Sequence, residues 1–204
     1  GIDGLRARQG RRVSGALSVS VVRGLDDWLE AATVRAQVYI GEQGYGFADE
    51  FDGADLAGAT HFVARFGDEP GGAGRVRWFA GFAKLERVAV KPTARSGAVP
   101  RALWRAVADL AARKGYAVVL GHIERALLPF WRRAAGFEPR LDRPTYELNG
   151  REFCEAVARL VAVRLDSAPF SVTPRAPPAV SIAWPRTRPS GSATSTIGGF
   201  AAPK

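Results

Sequence analysis

The chain has 204 residues, 47% of them hydrophobic and 24% charged, which suits one domain of about 150 residues with its own core and further segments at the ends. The formal net charge of +9 is uneven: residues 1–12 contribute +3 and residues 164–204 contribute +4, leaving +2 for the body, so neither a broad basic face nor a nucleic-acid partner is expected. Cys154 is the only cysteine, which excludes a disulfide framework, and with no apolar run of about 18 residues and no leader pattern a cytoplasmic protein that does not engage membranes is expected.

Residues 1–14 read as a flexible segment. In "ALSVSVVRG", Leu17, Val19 and Val21 alternate at period two and predict a strand. "DDWLEAATVRAQVYIGEQG" predicts a helix capped by Asp26 or Asp27, with Leu29, Thr33, Ala36 and Ile40 at helical spacing and a stop at Gly41 or Gly44. The acidic stretch "GFADEFDGAD" follows as a loop. "THFVARF" and "GRVRWFA" predict two strands joined through "GDEPGGAG" as a hairpin longer than the tightest turns. "AKLERVAV" is a third strand. From Pro100 to about Lys114 a helix presents Leu103, Val107, Leu110 and Ala111 on one face and ends at Gly115. "YAVVLGH" reads as a buried strand, "LLPFWRRAAG" as a short helix closed by Gly136, "PTYELNG" as a strand, and "REFCEAVARLVAVRL" as a last helix that carries Cys154 into the core. From 166 onward the chain is rich in Pro, Ser and Gly and reads as a disordered tail. The pattern as a whole predicts an α+β domain over 15–165 with a mixed sheet.

The stretch "LERVAVKPTARSGAVPRAL" runs from strand through a tight turn into a helix, whose first unpaired amides and dipole suit an anion. With "PFWRRAAGFEPR", and with "VRAQVYIGEQG" followed by "DEFDGAD" and "THFVA", it resembles the GCN5-related N-acetyltransferase superfamily over roughly residues 16–140. The resemblance implies a mixed, mostly antiparallel central sheet flanked by helices. It also implies a coenzyme A thioester donor, acetyl-CoA or an acyl-phosphopantetheine. Arg95 matches the first position of the family's pyrophosphate motif, while Ala98 and Pro100 stand where that motif has glycines. Pro100 suits the first helical turn but removes one amide donor. The amides of Ser96, Gly97, Ala98 and Val99 remain, Gly97 offers a permissive turn, and Arg101 lies in the same first turn. The backbone of Val88, Ala89 and Val90 is implied to pair with the pantetheine arm. Trp131 replaces the tyrosine whose hydroxyl protonates the leaving thiolate in the family.

Transfer also needs a group that takes the proton of the attacking amine. Glu86 is the candidate base, on a strand face shared with Val88 and Val90 in a regular alternation. Arg35, Asp52, Asp55 and His61 are candidates for substrate recognition, the acidic stretch suiting a cationic acceptor. A solvated loop with Asp residues capping turns is the alternative for that stretch. It lacks the ligand ladder of a calcium loop, so no metal is expected. His61 and His122, at strand ends, are further base candidates. The leading expectation is acetyl transfer from acetyl-CoA to the amine of a small molecule or peptide. Two alternatives stand beside it: an N-acyl amino acid or acyl-homoserine-lactone type synthase that takes its chain from acyl carrier protein, and a catalytically inactive binding module.

Overall fold

The alternating strands predicted by periodicity assemble into one sheet in the computed structural model, which describes residues 14–160. The expectations for the tail from 166 and for residues 1–13 concern positions outside this range. The strands are β1 (Leu17–Val21), β2 (Thr60–Phe66), β3 (Glu69–Phe79), β4 (Phe82–Val90), β5 (Val118–Glu124), β6 (Glu138–Pro139), β7 (Tyr146–Leu148) and β8 (Arg151–Arg159). Their order is β1-β2-β3-β4-β5-β8-β6, with β7 also on β8. All neighbours are antiparallel except β4 and β5, which are parallel and joined by the helix the sequence places between them. The sheet is mixed and mostly antiparallel, as expected.

Among the described residues four α-helices accompany it: α1 (Leu25–Arg35), α2 (Phe47–Glu50), α3 (Ala98–Arg113) and α4 (Leu128–Ala135). α3 buries Val99, Leu103, Trp104, Val107 and Ala111 against Phe62, Ala64, Val76 and Leu85 of the sheet. α4 ends at Gly136 with φ 68, the left-handed cap expected of glycine. α1 covers the other face through Ala31 and Val34, joined by Val38 just beyond it, all packed on Ala73 and Ala89. This differs from the predicted stripe, and Leu29 is exposed. Small residues bring the helix close to the sheet, and past Arg35 it continues as a π-helical segment, Ala36–Glu42, which breaks the regular spacing. α1 begins after Gly24, and Asp27 accepts from the Arg23 amide at 3.0 Å rather than serving as the N-cap.

Two further expectations are corrected. The β2–β3 turn is Gly67–Asp68, and "PGGAG" belongs to β3. Its glycines serve packing: a Cβ on Gly72 would lie 2.5 Å from Val99 Cγ1, and one on Gly71 2.8 Å from the Ala94 Cβ. The last predicted helix is strand β8 over Arg151–Arg159. It is nucleated by the Asn149–Gly150 turn, both residues at positive φ (51 and 71), the geometry of a two-residue hairpin. Cys154 is buried, but in this strand. Edge pairing with β5, β6 and β7 decided a segment whose local pattern also suits a helix.

Gly72→Ala is expected to cost about 1–3 kcal/mol through overpacking against Val99. Gly74→Ala, where the nearest atom would stand 3.9 Å away, should be neutral within about 0.5 kcal/mol. Denaturant unfolding of the two variants checks the pair.

Candidate active site

The site begins where two strands part. β4 and β5 pair through Ala83↔Val119, Lys84↔Leu120 and Leu85↔Gly121, and their pairing ends there while both strands continue. On its other edge β4 pairs Glu86 with Arg75 and Ala89 with Ala73, so Arg87 and Val88 together oppose Gly74. This is a β-bulge, and Arg87 takes φ 52 within it. The bulge shifts the alternation by one residue. Leu85, Val88 and Val90 face the α3 core while Ala89 faces α1, so Glu86 does not share a face with Val88 and Val90 as a regular strand would require. Two side chains hold the bulge. Arg87 donates to the carbonyls of Asp49 (2.6 Å) and Glu50 (3.3 Å), and Tyr39, from the π segment, donates its hydroxyl to the Val88 carbonyl at 2.9 Å. Burial pushes the Tyr39 phenol up, which keeps it a donor.

The parted strands open a cleft of about 790 Å³. One end of it meets the start of α3. Ser96, Gly97 and Pro100 line it, Pro100 being the third residue of the helix, and no side chain caps the helix N-terminus. The amides of Gly97, Ala98 and Val99 are therefore the donors available there. Gly97 has φ −60, so it is not needed for a left-handed turn; instead a Cβ on it would stand 2.6 Å from Arg101 Nη1. Arg101 does not line the cleft and lies over the Phe130 ring at 5.4 Å. Val88, Val90 and Arg95 line the cleft; the side chains of Ala89 and Val99 point into the two cores, and Ala98 is not among the lining residues. Arg95 reaches across to Glu42, Nη2 to Oε1 at 2.6 Å.

The acidic stretch is solvated only in part: residues 46–49 are exposed and Asp52 caps a turn by accepting from the Ala54 amide at 3.0 Å, but Glu50 and Asp55 are buried. Arg35, fully buried, donates to Glu50 Oε1 (2.5 Å), to the Glu50 carbonyl (2.9 Å) and to both Asp55 oxygens (2.7 and 3.1 Å). Arg75, equally buried, bonds Asp52 (2.6 and 2.9 Å), Asp55 (2.8 Å) and Glu86 (3.0 Å). The His61 ring meets the Asp55 carbonyl at 3.0 Å and is buried. Arg35, Asp52, Asp55 and His61 are not among the residues that line the cleft, and their bonds hold the loop together. Two buried guanidiniums need counter-charges, and the acidic stretch supplies them.

Glu86 does border the cleft, but it is occupied. Arg77 binds both its oxygens at 2.7 Å, Lys84 stands 2.9 Å from Oε1, and Arg75 adds a third cation. Burial alone would raise this carboxyl. The hydrogen bonds from Arg77 and Lys84 and the charges of Lys84 and Arg75 outweigh it and hold Glu86 at about 2. With three cations on its two oxygens Glu86 sits as an anchored counter-ion, an arrangement that disfavours the expected role of general base. Trp131, beside the cleft, is nine-tenths buried and packs edge-on against Phe137. Tyr39, Tyr45, Tyr146 and Arg151 also line the cleft; the last two and Tyr45 escaped the sequence reading, because the π segment and the β7–β8 hairpin were not legible as such. The Asn-Gly pair was the available signal. Among the described residues no three His, Cys, Asp or Glu side chains are grouped to hold a metal ion, and no helix is long and apolar enough to cross a membrane.

Asp55→Ala should destabilise the fold by about 3–5 kcal/mol, since it strips the shared counter-charge from two buried guanidiniums. Asp52, held at about 2 chiefly by its hydrogen bonds from Arg75, and Glu86 both have folded values below their ordinary ones. Their stabilising contribution is full above the ordinary carboxylate range and drains as pH falls toward about 2. Thermal unfolding followed from pH 6 to pH 2 should show Tm falling across that window.

No family model matches the chain. It is 31% identical over 104 residues to an uncharacterised N-acetyltransferase of Bacillus subtilis, YjcF, covering 51% of this chain and 74% of that protein. Among solved structures, an acyl-CoA N-acyltransferase from Pseudomonas aeruginosa superposes with TM-score 0.60 at 21% identity, over 72% of this chain and all of that one. The acyl-homoserine-lactone synthase LasI superposes with TM-score 0.60 at 15% identity, over 72% and 92%. Those two likenesses are of fold; the Bacillus relative adds similarity of sequence. The chain belongs to the GCN5-related N-acetyltransferase superfamily.

Proposed function

We propose that the chain transfers an acyl group, acetyl in the simplest case, from coenzyme A to the amine of a small molecule or peptide. The observation that carries this reading is one continuous cleft joining two features. A strand edge at Val88 and Val90, released from β5, leads to the uncapped N-terminus of α3 beside Arg95. An extended amide-bearing arm ending in a pyrophosphate fits that arrangement. The released edge offers backbone partners to its amides, and the amides of Gly97, Ala98 and Val99 with the Arg95 guanidinium suit its phosphates. Leu85, Ile123, Trp131 and Phe137 furnish an apolar wall for the thioester end.

Two features favour a second donor. Pro100 removes a donor from the helix start, and Arg95 is already engaged by Glu42. A donor carried on phosphopantetheine, as in acyl carrier protein, has one phosphate to satisfy rather than a pyrophosphate, and would draw the reaction toward longer acyl chains. The likeness to LasI in fold is compatible with it.

Isothermal titration with acetyl-CoA, free CoA and an acylated carrier protein separates the readings. Binding of acetyl-CoA and CoA supports the first, binding of carrier protein alone the second, and binding of none overturns both. Arg95→Ala should weaken CoA binding by about 1–3 kcal/mol. Glu42→Gln, which frees Arg95 from its ion pair, should tighten it.

A further inference from the structure

With Glu86 saturated and Trp131 lacking a hydroxyl, the transfer needs another proton route, and the other carboxylates lining the cleft are likewise engaged. Glu42 holds Arg95, Glu50 holds Arg35, Glu124 holds Arg151 at 2.9 Å, and Asp49 accepts from the Gly46 amide at 3.2 Å. A different cluster lies on the opposite wall. His122 is the first β5 residue beyond the last parallel pair, and Tyr146 comes from β7; both line the cleft. His122 Nδ1 lies 2.6 Å from the Tyr146 hydroxyl, and Nε2 lies 3.6 Å from Glu155 Oε2, Glu155 being the β8 residue in register with His122. Glu155 is itself anchored by Arg140 at 2.7 Å, and the Tyr146 ring stacks on Phe153 with centroids 5.7 Å apart. At 3.6 Å the Glu155 carboxylate is too far for a hydrogen bond, but its negative charge favours the ring proton on the nitrogen it faces, Nε2. That leaves Nδ1 to accept from the Tyr146 hydroxyl.

We propose that Tyr146, His122 and Glu155 form the proton relay of the transfer, with the Tyr146 hydroxyl meeting the reacting atoms. The inference rests on the acyl-transfer reading above. A neutral amine adds to the thioester carbonyl, and as the C–N bond forms its proton passes to Tyr146 Oη while the Tyr146 proton moves to His122 Nδ1. The imidazolium so formed is steadied by Glu155. When the C–S bond breaks, the same route runs backward: Tyr146 gives a proton to the departing sulfur and regains one from His122. Amide and thiol result, and the relay ends as it began. His122 accepts and Glu155 positions it; Tyr146 is the catalytic residue. Facing the imidazole are Lys84 and Glu86 from β4, Glu155 from β8 and Tyr146 from β7. Burial first, and Lys84 next, push His122 below its ordinary value against the pull of Glu155 and Glu86. The ring is therefore neutral and able to accept at pH 7, and activity is lost as pH falls through the His122 value.

The test uses the full chain and acetyl-CoA, with thiol release followed against a panel of primary amines and against water as the minimal acceptor. Tyr146→Phe should lower kcat by about 100-fold or more while the acetyl-CoA dissociation constant stays within about twofold. His122→Gln should lower kcat comparably and remove the acid limb of the kcat profile. Glu155→Gln should move that limb to lower pH with a smaller loss of rate. Nitrogen NMR of the imidazole should show the Nε2–H form in the wild type, a readout independent of turnover. Wild-type kcat and pH profile in Tyr146→Phe and His122→Gln, or an Nδ1–H imidazole, overturns the relay and leaves the acyl-transfer reading standing. A wild type that binds donor but releases no thiol to any acceptor, water included, also overturns the relay. A wild type that binds no donor overturns the function itself.

Discussion

The structure turns on the point where β4 and β5 stop pairing. Three residue pairs, from Ala83↔Val119 to Leu85↔Gly121, hold them together, and beyond that point each strand presents a free edge to the cleft. What prevents further pairing is local to β4. The bulge at Arg87 and Val88 adds a residue against β3 and bends the strand, as bulges do. A non-glycine residue at positive φ in mid-strand is costly, and Arg87 is kept there by bonds to the Asp49 and Glu50 carbonyls and an ion pair with Glu50 at 3.1 Å. Tyr39 fixes the other half of the bulge through Val88. The cleft is thus held open from the side of α1 and the acidic stretch.

That dependence explains the charge pattern around it. The carboxylates of residues 50–55 meet Arg35, Arg75 and Arg87, and Glu86 extends the same network to Arg77 and Lys84. Such a network is poor evidence of net stability, because desolvation offsets much of the attraction. Its geometry nevertheless couples three segments distant in sequence and sets the bulge in the strand that lines the cleft. Carboxylates that the sequence offers as acids and bases are thereby paired with cations, and the contacts among His122, Tyr146 and Glu155 lie apart from them on the β5, β7 and β8 side.

The start of α3 shows a similar division. A strand leading through a turn into a helix was legible in "VAVKPTARSGAVPRAL", since proline in the first turn and the apolar spacing of α3 are local signals. The role of Gly97 was not legible. Its backbone is ordinary, and the missing Cβ makes room for Arg101. Nor could the sequence show that Arg95 faces Glu42, 53 residues away in the chain.

By itself the sequence determined the α+β class, the strands β1 to β5 and β7, the helices α1, α3 and α4, and the superfamily resemblance. These depend on period-two and helical spacing, turn glycines and short motifs, all local in range. Tertiary structure decided the rest. Only pairing with β5 on one edge and with β6 and β7 on the other makes β8 a strand. Only the bulge separates Glu86 from the face of Val88 and Val90, because a single inserted residue reverses every later side chain. And only three-dimensional juxtaposition tells a reactive carboxylate from a paired one: the same Glu or Asp is a base or a counter-ion according to the cations within about 3 Å, which sequence spacing does not encode.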